Sequence, residues 1–493
     1  MEKAYRLIGG VSKFHVIAML ITILGINAMG VFTFMITFLE LEPVYKCTYL
    51  DEGSSSVRVE TCDQEVVCKS EDTSLISWEI DEDSIYSLNN WNQKANLHCV
   101  PMEYVGSLAS FAFLGAAFGS LAMPFSGDLF GRWNASQFLC LLSLPAFYLS
   151  IVADSIGLIQ FTSFWIGFIT FVRYANMYLL MMELMEEQYT GIATAVFMCG
   201  DSMMGFYIVA YLRFFSKDCI AFLTLTVILS IASFLLHFFI PESPKWLVSV
   251  GRYDEARAAL TQIARINGCD PKVVQKPFEE EQGLLQEEKG KEEENDGESL
   301  SIVARTTDES SICYFPSRTM MINFWILALM WTTSDINFYT ITFFMPYVPG
   351  DVFLNTTYSI SSEIISNVAS GVIFNRLGVK YSFIVGYILA SIGSLLIATT
   401  TSEGHRMGFF VLFAKLGIGY TFNVAYISTP RFFPANITAT VWGLLNVVAR
   451  FIAVVAPMIA VAPAPIPMVV FFTLSVISAT IVNLLNTDKV KSV

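Results

Sequence analysis

The chain has 493 residues, of which 54% are hydrophobic and 15% charged, with a formal net charge of −14. Soluble chains carry about 25% charged residues, so a chain this apolar uses lipid as part of its solvent. Its acidic balance argues against nucleic acid as a partner.

The N-terminus, Met1 to Lys13, carries Lys3, Arg6 and Lys13. The apolar run behind it, 16–39, is too long for a signal-peptide core, and no convincing small-residue cleavage site closes it. It reads as an uncleaved first helix with its basic flank in the cytoplasm. A soluble segment, 40–102, follows on the outer side. Its Cys47, Cys62, Cys68 and Cys99 read as two disulfides with three possible pairings. Helices 2 to 6 are predicted near 104–126, 135–153, 157–182, 191–213 and 219–240.

The next segment, 241–320, falls between the halves on the inner side. It opens on a helical pattern of Glu255, Ala256, Ala259, Leu260, Ile263 and Ala264. It continues into Glu279-Glu280-Glu281, Glu287-Glu288 and Glu292-Glu293-Glu294, a solvated linker or else a regulatory docking tail. Helices 7 to 12 are predicted near 321–347, 358–375, 381–400, 407–428, 439–461 and 465–486. An even count puts both termini on the cytoplasmic side. It divides the chain into an N-terminal bundle at 1–240, the inner segment at 241–320 and a C-terminal bundle at 321–493. Asn355-Thr356-Thr357 lies on the outer side and reads as a glycan acceptor. Asn134 and Asn436 also begin sequons, but on the inner side.

Cys140, Cys199, Cys219, Cys269 and Cys313 read as buried or reduced thiols. His15, His98, His237 and His405 stand alone. No metal site or cofactor is expected, and the absence of a nucleophile–base pair argues against an enzyme.

Two stretches mirror each other about half a chain apart. Asp128-Leu129-Phe130-Gly131-Arg132-Trp133 follows helix 2, and Asn375-Arg376-Leu377-Gly378-Val379-Lys380 follows helix 8. A glycine permits a tight turn, and the charges can pair with or cap helix ends in the opposite bundle half, a bond that would hold one conformational state and break in the other. A single copy is an ordinary charged loop; two at matched places are a transporter design.

On these residues the chain resembles the major facilitator superfamily, whose signature after helix 2 is Gly-x-Leu-Ala-Asp-Arg-x-Gly-Arg-Arg, with a weaker copy after helix 8. Asp128, Gly131 and Arg132 match, while Pro124, Leu129 and Trp133 occupy other signature places. Pro241-Glu242-Ser243-Pro244-Lys245-Trp246-Leu247, with Gly251-Arg252-Tyr253-Asp254-Glu255-Ala256, is similar to a stretch of the sugar and organic ion transporters. The four-cysteine loop, Lys415-Leu416-Gly417, Phe422-Asn423 and Tyr426 favour the organic cation, anion and carnitine carriers. The chain departs from that pattern at Thr190, where an Arg would follow Glu183. It departs again at Arg431 and Thr438, although Pro434 is kept. The resemblance implies a gate built from Asp128, Gly131, Arg132, Glu183, Asn375, Arg376, Gly378, Glu242 and Arg252, with several pairs rewired.

Ionisable residues inside spans are expensive and usually face a cavity or a partner. Arg173, Asp201, Asp335, Glu363, Lys415 and Arg450 qualify. The plainer reading is internal pairing, such as Arg173 with Asp201, or snorkelling of Lys415 to an interface. Arg450 precedes Pro457 by seven residues. In organic ion transporters that place tends to be acidic in cation carriers and Arg in anion or carnitine carriers. The resemblance therefore implies an anion contact through the guanidinium fork. Aromatics crowd helices 5, 7 and 10: Phe206, Tyr207, Trp331, Phe338, Tyr339, Phe343, Phe344, Tyr420 and Phe422. They serve packing or a ligand grip, and Trp331 and Tyr339 match the family pattern. Gly115 and Gly119 permit close helix packing.

The resemblance implies an all-α membrane protein with twelve transmembrane helices in two six-helix bundles and a large outer loop between helices 1 and 2. It implies a secondary transporter moving small organic ions across the plasma membrane by alternating access, leaning to organic anions or zwitterions. Substrate would meet Arg450, Lys415, Trp331, Tyr339, Phe338, Asp335, Arg173 and Asp201 in a cavity lined by helices 1, 4, 5, 7, 8, 10 and 11. The expected partners are the small ion and the lipid bilayer, with the outer loop as a candidate surface for a protein. One rival is a transport-inactive relative acting as a receptor or assembly partner. The other is a sugar porter, for which Asn337 lacks an adjacent Gln-Gln pair.

Overall fold

The computed structural model describes residues 2–7, 10–50, 57–69, 75–270, 318–400, 404–433 and 435–486. The acidic runs between Glu279 and Glu294, Cys313 and Pro434 lie outside the described residues.

In lipid every backbone N–H and C=O must pair within its own segment, so each apolar run becomes a helix. The first bundle holds α1 (Lys13–Leu39), α2 (Met102–Phe130) and α3 (Arg132–Val152). It also holds α4 (Ile156–Glu183), α5 (Thr190–Phe214) and α6 (Cys219–Leu236). The second holds α7 (Arg318–Phe343), α8 (352–377), α9 (379–399) and α10 (His405–Ser428). It is completed by α11 (Ala435–Ala453), extended by Ala456–Ala460, and α12 (Ile466–Ile481). α8 and α9 run on as Val352–Thr399, broken at Gly378 by φ 71° and ψ 176°.

Among the described residues ten helices are long and apolar enough to cross a membrane. Val352–Thr399 supplies two spans. α7 is less apolar because Thr332, Thr333, Ser334, Asp335 and Asn337 sit at its middle. The twelve predicted spans are thus all present. In the first bundle α2 packs on α4 closely: a Cβ at Gly115 would strike the Phe164 carbonyl, and one at Gly167 the Ala112 carbonyl. Between bundles, α2 meets α11 and α5 meets the Val352–Thr399 helix.

The segment after α1 is a small domain rather than a plain loop. β1 (Tyr45–Leu50), β2 (Val57–Cys62) and β3 (Leu75–Ile80) form an antiparallel sheet in the order β2-β1-β3. The open choice of disulfide pairing resolves as Cys47–Cys62 and Cys68–Cys99. The domain is docked, not tethered. Asn90 Nδ2 donates to the Phe38 and Leu41 carbonyls at 2.8 Å each. The buried Trp91 donates from Nε1 to the Ser150 carbonyl at 3.3 Å. Asn89 and Cys219 add backbone bonds to the α5–α6 turn. This end is called the cysteine face.

The opposite, terminal face carries Tyr5, Asn486 and the helix Tyr253–Asn267. That helix buries Ala256, Ala259, Leu260, Ile263 and Ala264, the stripe its spacing predicts. The stripe packs with Tyr5, Phe14, Trp246 and Leu247, and Asn267 Oδ1 accepts from Phe14 N at 2.9 Å.

Asn355 corrects an expectation. It lies in the first turn of α8, 1% exposed, with Nδ2 donating to the Pro349 carbonyl at 3.3 Å. The atom that would carry a glycan is buried and engaged.

Candidate functional site

Arg450 is set where α11 faces α4, α7 and α10. Its Nη1 donates to Tyr339 Oη at 2.7 Å and its Nη2 to Tyr426 Oη at 3.4 Å. Nε lies 3.7 Å from Asp335 Oδ2. The guanidinium also lies 5.3 Å from the Phe171 ring on α4, 5.5 Å from Tyr339 and 6.0 Å from Phe422. A buried guanidinium is tolerated only when paired and hydrogen-bonded, and this one has an acid, two phenols and three ring faces. Around it Trp331 packs on Tyr426 at 4.3 Å and on Trp442 at 5.8 Å. Trp331 Nε1 donates to Thr429 Oγ1 at 3.0 Å.

A second charge centre sits nearby. Lys415 Nζ lies 3.1 Å from Glu363 Oε1 and donates to the Phe338 carbonyl at 3.0 Å and to Thr342 Oγ1. Its ammonium stands 3.4 Å from the Phe338 ring centroid. Asp201 on α5 lies against Gly30 of α1 and within electrostatic reach of Glu363. No cation pairs with it among the described residues. Tyr174 on α4 lies within electrostatic reach of Asp201, Tyr426 and Tyr339. Arg450 and Asp335 offset each other, as do Lys415 and Glu363, so Asp201 leaves this interface acidic.

The bundles close around these residues toward the cysteine face. Phe113 meets Tyr339 at 4.4 Å, Phe118 meets Phe451 at 5.4 Å and Phe38 stacks on Phe353 at 5.5 Å. Arg213 and Asp351 form an ion pair at 3.4 Å. At the terminal face the α2 end is bare: Leu129 is 70% exposed and Phe130 66%.

The first hinge copy corrects an expectation: its charges pair in a cage within their own bundle, not with helix ends in the opposite one. Arg132 Nη1 pairs with Asp128 Oδ1 at 2.8 Å, and Nη2 with Glu183 Oε1 at 3.2 Å. Glu242 accepts from Trp133 N at 3.0 Å and from Ser243 N at 3.0 Å. A carboxylate there satisfies free N–H groups at the N-terminus of α3. Burial pushes the Glu242 carboxyl above its ordinary range, and the Trp133 N–H partly offsets that. Trp246 Nε1 closes the cage onto the Asp128 carbonyl at 3.1 Å.

A model of the sugar (and other) transporter family matches residues 26–482. The chain belongs to that family. Within that family its sequence is divergent. It is 23% identical over 330 residues to organic cation/carnitine transporter 2 of Homo sapiens, covering 66% of this chain and 55% of that protein. It is 22% identical over 393 residues to solute carrier family 22 member 21 of Mus musculus, covering 78% and 65%. The match thus spans less than two thirds of either relative's length. In fold it is similar to the xylose transporter XylE from E. coli in a partially occluded inward-open conformation. The TM-score is 0.60 at 14% identity, covering 95% of this chain and 97% of that one. The major facilitator fold and a multi-pass membrane protein follow.

Set in the transporter frame, the sequence-predicted residues separate. Arg450, Asp335, Tyr339 and Trp331 come together, and Lys415, Phe338 and Asp201 lie beside them. Lys415 does not snorkel; it is 0% exposed. Arg173 is a correction: it turns away from Asp201 and donates to Ser233 Oγ on α6 at 2.9 Å. Arg252 bonds Glu255 Oε1 at 2.7 Å and meets the cage through the Trp246 ring, 5.7 Å from its guanidinium. In the second hinge copy Asn375 Nδ2 bonds its own helix at the Gly371 carbonyl, and Arg376 makes no ion pair among the described residues. Arg431 lies over the Phe374 ring at 4.4 Å. Sequence reasoning passed over Phe171 and Tyr174 on α4 and did not place Tyr426 in the site. The signal was their spacing: Phe171 with Tyr174, and Phe422 with Tyr426, share a helix face.

Proposed function

We propose that the chain is a secondary transporter of small organic ions, working by alternating access in the plasma membrane with both termini cytoplasmic. It performs no covalent chemistry. The preferred substrate is an organic anion or zwitterion whose carboxylate meets Arg450. The observation that carries this is the Arg450–Asp335–Tyr339–Tyr426 cluster facing Phe171 of the other bundle. A simple anion must compete with Asp335 for the guanidinium. A zwitterion brings a second charge that Asp335, Asp201 and the aromatic faces can take up. The acidic balance of the interface therefore favours the zwitterion. The kinship with an organic cation/carnitine transporter supports the same lean, because carnitine is a zwitterion.

Uptake into proteoliposomes of purified protein tests this reading. Radiolabelled carnitine, an aryl carboxylate and tetraethylammonium serve as the three probes. Saturable carnitine or carboxylate uptake, reduced at least tenfold in Arg450→Gln, is expected. Uptake of tetraethylammonium alone would overturn the lean. A blank across all three would favour a transport-inactive relative, the reading that Arg376 without an ion pair supports.

A further inference from the structure

Arg173 poses a problem that lies outside the substrate site. It is 1% exposed inside the first bundle. Ser233 Oγ accepts from Nη2, but Nε and Nη1 are buried and no protein acceptor reaches them. No carboxylate pairs with Arg173 among the described residues. A buried, uncompensated guanidinium is among the costliest groups a membrane bundle can hold.

The groups around it are donors. Thr226, Ser230, Ser233 and His237 follow one another at helical spacing, so α6 presents them along one face. Each is 0% or 1% exposed. The Thr226 and Ser230 hydroxyls and both ring nitrogens of His237 have no partner. Many serines elsewhere in the spans bond back to their own helix, as Ser110 does to Gly106 and Ser136 to Arg132, although Ser163 and Ser382 do not. Those on this face of α6 do not. The Cys140 thiol of α3 donates to the Ser230 carbonyl at 3.3 Å and closes the remaining side. His237 lies within electrostatic reach of Arg173.

We propose that Arg173, with Ser230 and His237, binds a small monovalent anion of halide size inside the first bundle. Water would fill hydrogen bonds but leave the charge uncompensated. A divalent anion would exchange one unbalanced charge for another. Helix packing sets the size: a Cβ at Gly25 of α1 would lie 2.7 Å from Ser233 Oγ, so little room remains. The site stands apart from Arg450 and does not rest on the transport reading.

The purified full chain tests it by thermal unfolding in sodium chloride against sodium gluconate at constant ionic strength. A ligand that binds only the folded state raises Tm with the logarithm of its concentration, here on the order of 2 °C per tenfold chloride. Arg173→Gln should flatten that dependence, and Arg450→Gln should keep it. A flat wild type would overturn the proposal, as would an unchanged slope in Arg173→Gln or a slope lost only in Arg450→Gln. Should Arg173→Gln not fold, bromide decides: crystals grown with it should show an anomalous peak between α3, α4 and α6, and no peak there refutes the site.

Discussion

Lys415 shows how much of this molecule is settled by single side chains. Its ammonium offers three donors, and Glu363, the Phe338 carbonyl and Thr342 take them up. Glu363→Gln should therefore destabilise by about 3–5 kcal/mol, since it leaves a buried cation without its counter-charge. The Glu363→Met, Lys415→Met double variant should recover most of that loss. Thermal melting of the three proteins checks both, and equal melting of wild type and Glu363→Gln would refute the pairing. The individual charges were legible in the sequence because an Arg, Lys or Asp inside an apolar run stands out. Their partners were not. Arg173 and Asp201 are opposite in sign and lie on successive helices, yet α4 turns Arg173 toward α6 and α5 sets Asp201 beside α1. Which face a helix presents depends on packing against all its neighbours.

The two hinges are a natural experiment in element stability. Gly131 has φ 91° and ψ 153°, and Gly378 has φ 71° and ψ 176°. Both lie in a region that essentially only glycine occupies, costing other residues about 1–3 kcal/mol. A Cβ at Gly131 would also collide with Glu242 Oε2, whereas one at Gly378 meets nothing within 4 Å. Gly131→Ala should therefore lower Tm clearly more than Gly378→Ala, and equal shifts would mean that the cage does not hold the first hinge. The placement of both turns was readable from their paired motifs. The family resemblance also grouped Asp128, Arg132, Glu183 and Glu242, but not Trp246, whose indole reaches the Asp128 carbonyl from more than a hundred residues downstream. Strands were hidden for another reason. β2 does alternate, as Val57-Arg58-Val59-Glu60, but a pattern that short is a weak signal, while the spans needed only length and greasiness.

At the scale of the whole molecule, the bundles grip one another toward the cysteine face. Phe38 and Phe353 stack there at 5.5 Å. A disulfide across Phe38→Cys and Phe353→Cys should hold that face shut. Uptake in proteoliposomes should fall at least tenfold on oxidation and return on reduction. Uptake that survives crosslinking would rule out opening at this point.

The docking of the cysteine domain also fixes an order of assembly during synthesis. Trp91 waits for the Ser150 carbonyl, 59 residues later in the chain. Asn89 waits longer, for Lys217 and Cys219 at the head of α6. The nascent domain can close its disulfides and dock Asn90 on the end of α1 early, but its seat is complete only when the sixth helix enters the bilayer. Maturation of this domain is thus a checkpoint on the insertion of the entire first half.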